Sequence, residues 1–248
     1  MRLKYRLLSK GVPPRRTELV VPGWAGERKL PRDGATPQPW HCQPFTEGSL
    51  YGLELLYPYD TSCEVVGRNG QTEFVGDFSH EVVPGLVWPP FRIANPGHYS
   101  LGTLIDLQVP QGYALRIEPH PKFFNDRTGT TPVAVIGNLQ TAWWPMYFFA
   151  TFKSPLDGQS HIFRRGEPYA QVIVVPARSE YEVEPMTPDE ASGRETQARQ
   201  IMRHRDEISR HRWISSDGFQ FDDVYKQISR RTLPDEKPDD EAIDDRGT

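Results

Sequence analysis

The chain is poor in cysteine: Cys42 and Cys63 are its only two, too few for a four-thiolate zinc site. Without a secretory signal a disulfide between them is not expected, and they read as buried free thiols. Long apolar runs are missing as well. The opening Met1, Arg2, Leu3, Lys4, Tyr5, Arg6, Leu7, Leu8 is interrupted by charge, and Pro13, Pro14, Arg15 and Arg16 follow it. Such a start makes neither a signal peptide nor a membrane helix, so the expected location is the cytoplasm, with no membrane partner. Also absent are H-E-x-x-H, C-x-x-C, a glycine-rich phosphate loop and G-x-S-x-G, which removes the common zincin, P-loop and α/β-hydrolase readings.

What is present points to strands. The 248 residues are 37 % hydrophobic and 25 % charged, with 24 Pro and 20 Gly, too apolar for disorder and too broken by turn formers for helical bundles. Residues 1–39 begin with the alternation Leu3, Tyr5, Leu7 and continue through a proline-rich stretch, as a strand followed by an extended arm. From Trp40 to Pro176 nearly every apolar run is short and closed by Pro or Gly, and the expected strands include Gly52 to Tyr57, Glu73 to Phe78, His80 to Val83, Gly102 to Val109, Tyr113 to Glu118, Val133 to Ile136, Tyr147 to Phe152, His161 to Phe163 and Tyr169 to Val175. No ten-residue helical period separates them, so the fold expected for 40–186 is mainly β, an antiparallel sandwich or barrel of cupin-like or β-clip type.

The pattern changes at Thr187, Pro188, Asp189, Glu190, a capping box with proline in the first turn. A helix is predicted from there to about Arg210, with Ala191, Ala198, Ile201, Met202 and Ile208 as a thin apolar stripe. Within 187–231, the segment Ser216 to Tyr225 carries a turn signal and three aromatics and is expected to dock. Residues 232–248 hold seven acids against two bases and are expected to be disordered.

A non-haem iron site on a β scaffold needs a histidine, an acid two residues on along the same strand face, and a distant histidine. Only His204, Arg205, Asp206 has that spacing, on a predicted helix where positions two apart diverge. A divalent metal ion would instead have to be assembled from distant strands, with His80, Glu81, His98 and His120 the best-placed set. Arg116, Glu118, His120 and Lys122 alternate with apolar residues and are expected to share one face, as a pocket lining or a solvated row. Trp143, Trp144, Pro145, Met146, Tyr147, Phe148 and Phe149 form a dense apolar load, read first as core and second as a ligand platform.

Nucleic-acid binding needs a basic face interleaved with exposed aromatics; the only basic concentrations are residues 1–40, with nine Lys or Arg against three acids, and Arg199 to Arg212, which Glu nearly cancels, so nucleic acid is not the expected partner. Three functional readings follow. The first is a β domain that binds a small molecule or peptide in an aromatic-lined pocket built from Arg116, Glu118, His120, Lys122, Trp143 and Trp144. The second is a metal-dependent, cupin-like tailoring enzyme of the oxygenase class. The third is an interaction protein that self-associates into a homo-oligomer through its oppositely charged ends.

Over Trp40 to Pro176 the chain resembles an uncharacterised bacterial family. The blocks that carry this are W-H-C-x-P-F at Trp40 to Phe45, G-L-E-L-L-Y-P at Gly52 to Pro58, N-P-G-H-Y at Asn95 to Tyr99, W-W-P-M-Y-F at Trp143 to Phe148 and R-G-E-P-Y at Arg165 to Tyr169. That resemblance implies no catalytic role. At the level of fold, Pro110 to Pro176 is similar to the β-clip of deoxyuridine triphosphatases and deoxycytidine triphosphate deaminases, whose final Gly-Asp-Arg-Ile-Ala-Gln strand looks like Gly166, Glu167, Pro168, Tyr169, Ala170, Gln171 here. Their chemistry is not implied. Val135, Ile136, Gly137 stands where they carry Val-Ile-Asp, and His120, Pro121, Lys122 stands where they carry Arg-Ser-Ser.

Overall fold

The computed structural model describes residues 1–8, 10–18, 43–78, 89–125, 129–214 and 220–232. The chain divides into two compact units, one of residues 1–22 and 47–181, the other of 23–46 and 182–248. The expected strand His80 to Val83 and the acidic tail beyond Thr232 lie outside the described residues.

The larger unit is antiparallel β. Its strands are β1 (Lys4–Leu7), β2 (Arg15–Arg16), β3 (Leu53–Leu56), β4 (Cys63–Arg68), β5 (Gln71–Val75), β6 (Phe91–Asn95), β7 (His98–Gly102), β8 (Ile105–Gln108), β9 (Tyr113–Glu118), β10 (Gly137–Leu139), β11 (Phe149–Lys153), β12 (Ser160–Phe163) and β13 (Pro168–Pro176). They form a five-stranded sheet ordered β10-β9-β13-β3-β2, three-stranded sheets β11-β7-β6 and β12-β4-β5, and the pair β1-β8. None of these closes on itself among the described residues, so the architecture is a set of short sheets around one interior and not a barrel.

That interior is aromatic. Tyr57, Tyr99, Phe152, Phe163 and Tyr169 are all buried, and strands of every sheet in this unit contribute to the same cluster. Tyr99 stacks on Phe152 with ring centres 5.3 Å apart, and Phe91 meets Phe163 edge-on at 5.3 Å. Each such ring, fully buried, stabilises the fold by roughly 1.5–3 kcal/mol. The β4–β5 hairpin turns at Asn69 and Gly70, with φ of 51° and 72°, the left-handed values that a two-residue type I′ turn requires.

Two expectations are corrected by backbone geometry. Gly102 to Val109 is not one strand, because Leu104 takes φ of 54° and divides β7 from β8. Left-handed backbone is unfavourable for a bulky residue by about 1–2 kcal/mol. Leu104 is held there by its buried side chain and by its carbonyl, which accepts the Leu8 N–H at 2.9 Å. Val133 to Ile136 makes only a single bridge, Ala134 to Phe152, and the strand begins later at Gly137.

One helix escaped the sequence reading, α1 (Gln43–Leu50), inside the stretch expected to be strands and loops. In the smaller unit, α2 (Pro188–Arg203) opens on the anticipated capping box: Thr187 N–H donates to Glu190 Oε2 at 2.8 Å and Glu190 N–H donates to Thr187 Oγ1 at 3.4 Å. The helix stops at His204, short of Arg210, and α3 (Arg205–Ile208) follows. No residue of α2 is buried, so the anticipated stripe packs into no core. A hairpin of β14 (Arg212–Ile214) and β15 (Gln220–Asp222) leads into α4 (Val224–Thr232).

Candidate functional site

The pairing of the five-stranded sheet brings four polar residues into register. Glu118 of β9 lies opposite Gln171 of β13, Gln171 lies opposite Glu54 of β3, and Glu54 lies opposite Arg15 of β2. Opposite residues of an antiparallel pair share a face, so one polar row crosses four strands. Gly52, next to it, is confined by that row: a Cβ there would lie 2.7 Å from Gln171 Oε1.

Glu54 sits at the middle with its side chain 0 % exposed. It accepts from Arg15 Nε at 2.6 Å, from the Glu18 N–H at 3.1 Å and from His120 Nε2 at 3.1 Å. Burial pushes its carboxyl up, but the hydrogen bonds from His120, Arg15 and the Glu18 amide outweigh that and hold it at about 2. His120, 1 % exposed, has both ring nitrogens engaged: the Lys122 N–H donates to Nδ1 at 3.2 Å, which leaves the ring proton on Nε2, facing Glu54.

The expected row of Arg116, Glu118, His120 and Lys122 is therefore only half a row. β9 ends at Glu118 because Pro119 and Pro121 supply no ladder N–H. Arg116 and Glu118 stay on the strand face, with Arg116 Nε 2.9 Å from Glu118 Oε1, in contact as an ion pair without hydrogen-bond alignment. His120 folds into the sheet, and Lys122 enters a 3-10 turn at Pro121–Asn125.

That turn walls a cavity of about 190 Å³. Lys122 and Phe123 face it from the turn, Tyr57 from the end of β3, Thr130, Thr131 and Pro132 from the following loop, and Ile162, Phe163, Arg164, Glu167, Pro168 and Tyr169 from the β12–β13 hairpin. Lys122 is half-buried, with Nζ 5.0 Å from the Phe123 ring centre. Burial lowers its ammonium pKa against the pull of Glu167 and Glu54. Arg164 and Glu167 approach each other at 3.7 Å, and the buried Tyr169 hydroxyl makes no hydrogen bond among the described residues.

The tryptophans stand elsewhere. Trp143 and Trp144, 67 % and 37 % exposed, meet edge-on at 5.9 Å, and neither lines the cavity. Of the block read first as core, Phe148 is buried, whereas Trp143, Trp144 and Met146 are on the surface. Arg6 binds the Pro145 carbonyl at 3.0 Å, holding this loop to β1.

The metal set does not assemble among the described residues. His80 and Glu81 lie outside them, His98 Nδ1 pairs with Asn95 Oδ1 at 2.7 Å on another sheet, and His120 serves Glu54. No group of three or more His, Cys, Asp or Glu is arranged to hold an ion among the described residues. His204 and Asp206 face different partners, Glu207 and Arg212. In the core, the Tyr99 hydroxyl and His161 Nδ1 share a hydrogen bond at 2.7 Å, and burial takes the His161 ring down to about 4. Burial likewise drives the Cys63 thiol up to about 12, which leaves it inert. No helix among the described residues is long and apolar enough to cross a membrane.

Glu54 is the residue that sequence reading missed. Its signal was there: a lone acid inside Leu53-Glu54-Leu55-Leu56, as Gln171 is a lone amide inside Tyr169 to Val175. A polar residue within a buried strand needs a partner, and that requirement marks the row.

No family model matches the chain, and no curated protein matches it. Solved structures do. The dUTPase from phage phi11 of S. aureus is 11 % identical over 75 % of this chain and 96 % of its own, with a TM-score of 0.40. A point mutant of the phage 80alpha dUTPase is 12 % identical over 75 % of this chain and 89 % of its own, at 0.41. The EIAV dUTPase is 11 % identical over 75 % and 98 %, at 0.37. Likeness at this level assigns no activity to the chain.

Proposed function

We propose that the larger unit binds a small molecule with a flat apolar ring in the cavity between the Pro121–Asn125 turn and the β12–β13 hairpin. One observation carries this: the aromatic residues Tyr57, Phe123, Phe163 and Tyr169 line the same space as the charged residues Lys122, Arg164 and Glu167. Ligand sites combine apolar walls with a few convergent polar groups in that way. At about 190 Å³ the space is below the roughly 300–1,000 Å³ of drug-sized sites, which suits a single substituted ring or one aromatic side chain of a peptide.

In this reading Lys122 touches the ligand. His120 and Glu54 hold the lysine's backbone, and Arg116 and Glu118 continue the polar row behind them. The exposed Trp143 and Trp144 have no part in it.

The test is titration of the full chain with single-ring fragments, followed residue by residue by NMR. Shifts centred on Thr130, Thr131, Ile162 and Arg164, abolished by Ile162→Trp, are the expected result. Shifts centred on Trp143 and Trp144, or none at the cavity, would overturn it.

A further inference from the structure

We propose that Lys122 is a nucleophilic amine that condenses with the carbonyl group of a small aromatic aldehyde or ketone held in the cavity beside Phe123. The inference rests on the cavity being a ligand site, and adds a covalent step to it.

Three features of Lys122 set it apart. Its backbone is fixed by a chain of contacts that starts at the exposed Arg15 and runs through the buried Glu54 and His120 to the Lys122 N–H, at 2.6, 3.1 and 3.2 Å. Its side chain, half-buried, turns into an aromatic lining where a surface lysine would extend into water. Among the described residues, its ammonium has no carboxylate within ion-pair distance and no hydrogen bond. Partial burial penalises that ammonium, and the carboxylates of Glu167 and Glu54 act on it only from beyond ion-pair distance, so the balance favours the neutral amine, which is the nucleophile. The lowered pKa of this lysine agrees in direction.

The chemistry balances within the cavity. The Nζ lone pair forms a C–N bond to the carbonyl carbon, and the carbonyl π electrons move to oxygen. Both nitrogen protons end on that oxygen, which leaves as water, and a C=N bond remains. Glu167 belongs to the same lining and is the carboxylate there that could carry one of those protons. No electrons change hands, so the step needs no oxidant or reductant.

Benzaldehyde and sodium cyanoborohydride, added to the full chain at neutral pH, test this, because the hydride donor converts any imine to a stable benzylamine. Peptide mapping should place the benzyl group on Lys122 about fivefold or more ahead of any of the six other lysines, since the cavity holds the aldehyde beside an amine that burial makes easier to deprotonate. Lys122→Arg, checked for folding by circular dichroism, should lose that adduct and keep the slow background. Labelling that is even among lysines, or least at Lys122, would overturn the proposal. Benzyl alcohol, which cannot condense, separates the two readings. If it perturbs Ile162 and Thr131 while Lys122 stays unmodified, the cavity binds rings and the amine is not a nucleophile; if neither occurs, both ideas fail.

Discussion

His120 Nε2 and Glu54 Oε1 lie 3.1 Å apart with both side chains out of contact with water, and each is held from its other side by a backbone amide. A buried carboxylate that accepts three hydrogen bonds is the kind of group whose partners cannot be removed singly without loss.

Glu54→Leu and Glu54→Gln should therefore separate charge from shape. The glutamine keeps an acceptor for one donor but loses the ion pair with Arg15, and should cost about 1–3 kcal/mol; the leucine also strands the His120 ring N–H and should cost more. Urea unfolding followed by fluorescence would measure both. A leucine variant as stable as the parent would mean that this centre contributes nothing to folding.

Acid should destabilise the larger unit in two stages. His161 has a folded pKa of about 4, below its ordinary value near 6.5, so the unfolded chain binds the extra proton first and stability falls as pH drops from about 6.5 to 4. Glu54 has a folded pKa of about 2 against an ordinary 4.5, so its contribution, on the order of 1–3 kcal/mol, is present above about 4.5 and is lost from there down to about 2. His161→Gln should flatten the upper stage and leave the lower one, read as melting temperature against pH.

The smaller unit has its own buried acid. Asp223 accepts from the Arg210 and His211 amides at 2.8 and 3.1 Å, from Ser209 Oγ at 3.1 Å and from Gln227 Nε2 at 2.7 Å. Burial raises its carboxyl, but these donors prevail and hold it at about 2. Asp223→Ala should cost about 2 kcal/mol or more of local stability and speed amide exchange at 210, 211 and 227, with α2 unaffected.

How much of this was legible in the sequence differs by element. Tyr113 to Glu118 was bounded correctly because a proline-containing turn closes each end, and Thr187 marked its helix because the capping box is a local device. The break at Leu104 was hidden, since only tertiary packing makes a leucine tolerate a left-handed backbone. The tryptophans misled because apolarity was read as burial, although exposed apolar residues are ordinary. For the candidate site, Lys122 was named from alternation, but its true neighbours come from strands far apart in sequence, and Glu54 could not be paired with His120 without the register of β3, β13 and β9. Spacing along one strand carries no information about which strands become neighbours.

The separation of Glu54 from its partners also bears on synthesis. Arg15 precedes it by 39 positions and is already available when β3 leaves the ribosome, whereas His120 follows by 66. At about 5–20 residues per second, roughly 3 to 13 s pass before the imidazole arrives. During that interval the nascent chain carries a half-answered acid in a strand that ends up inside the five-stranded sheet.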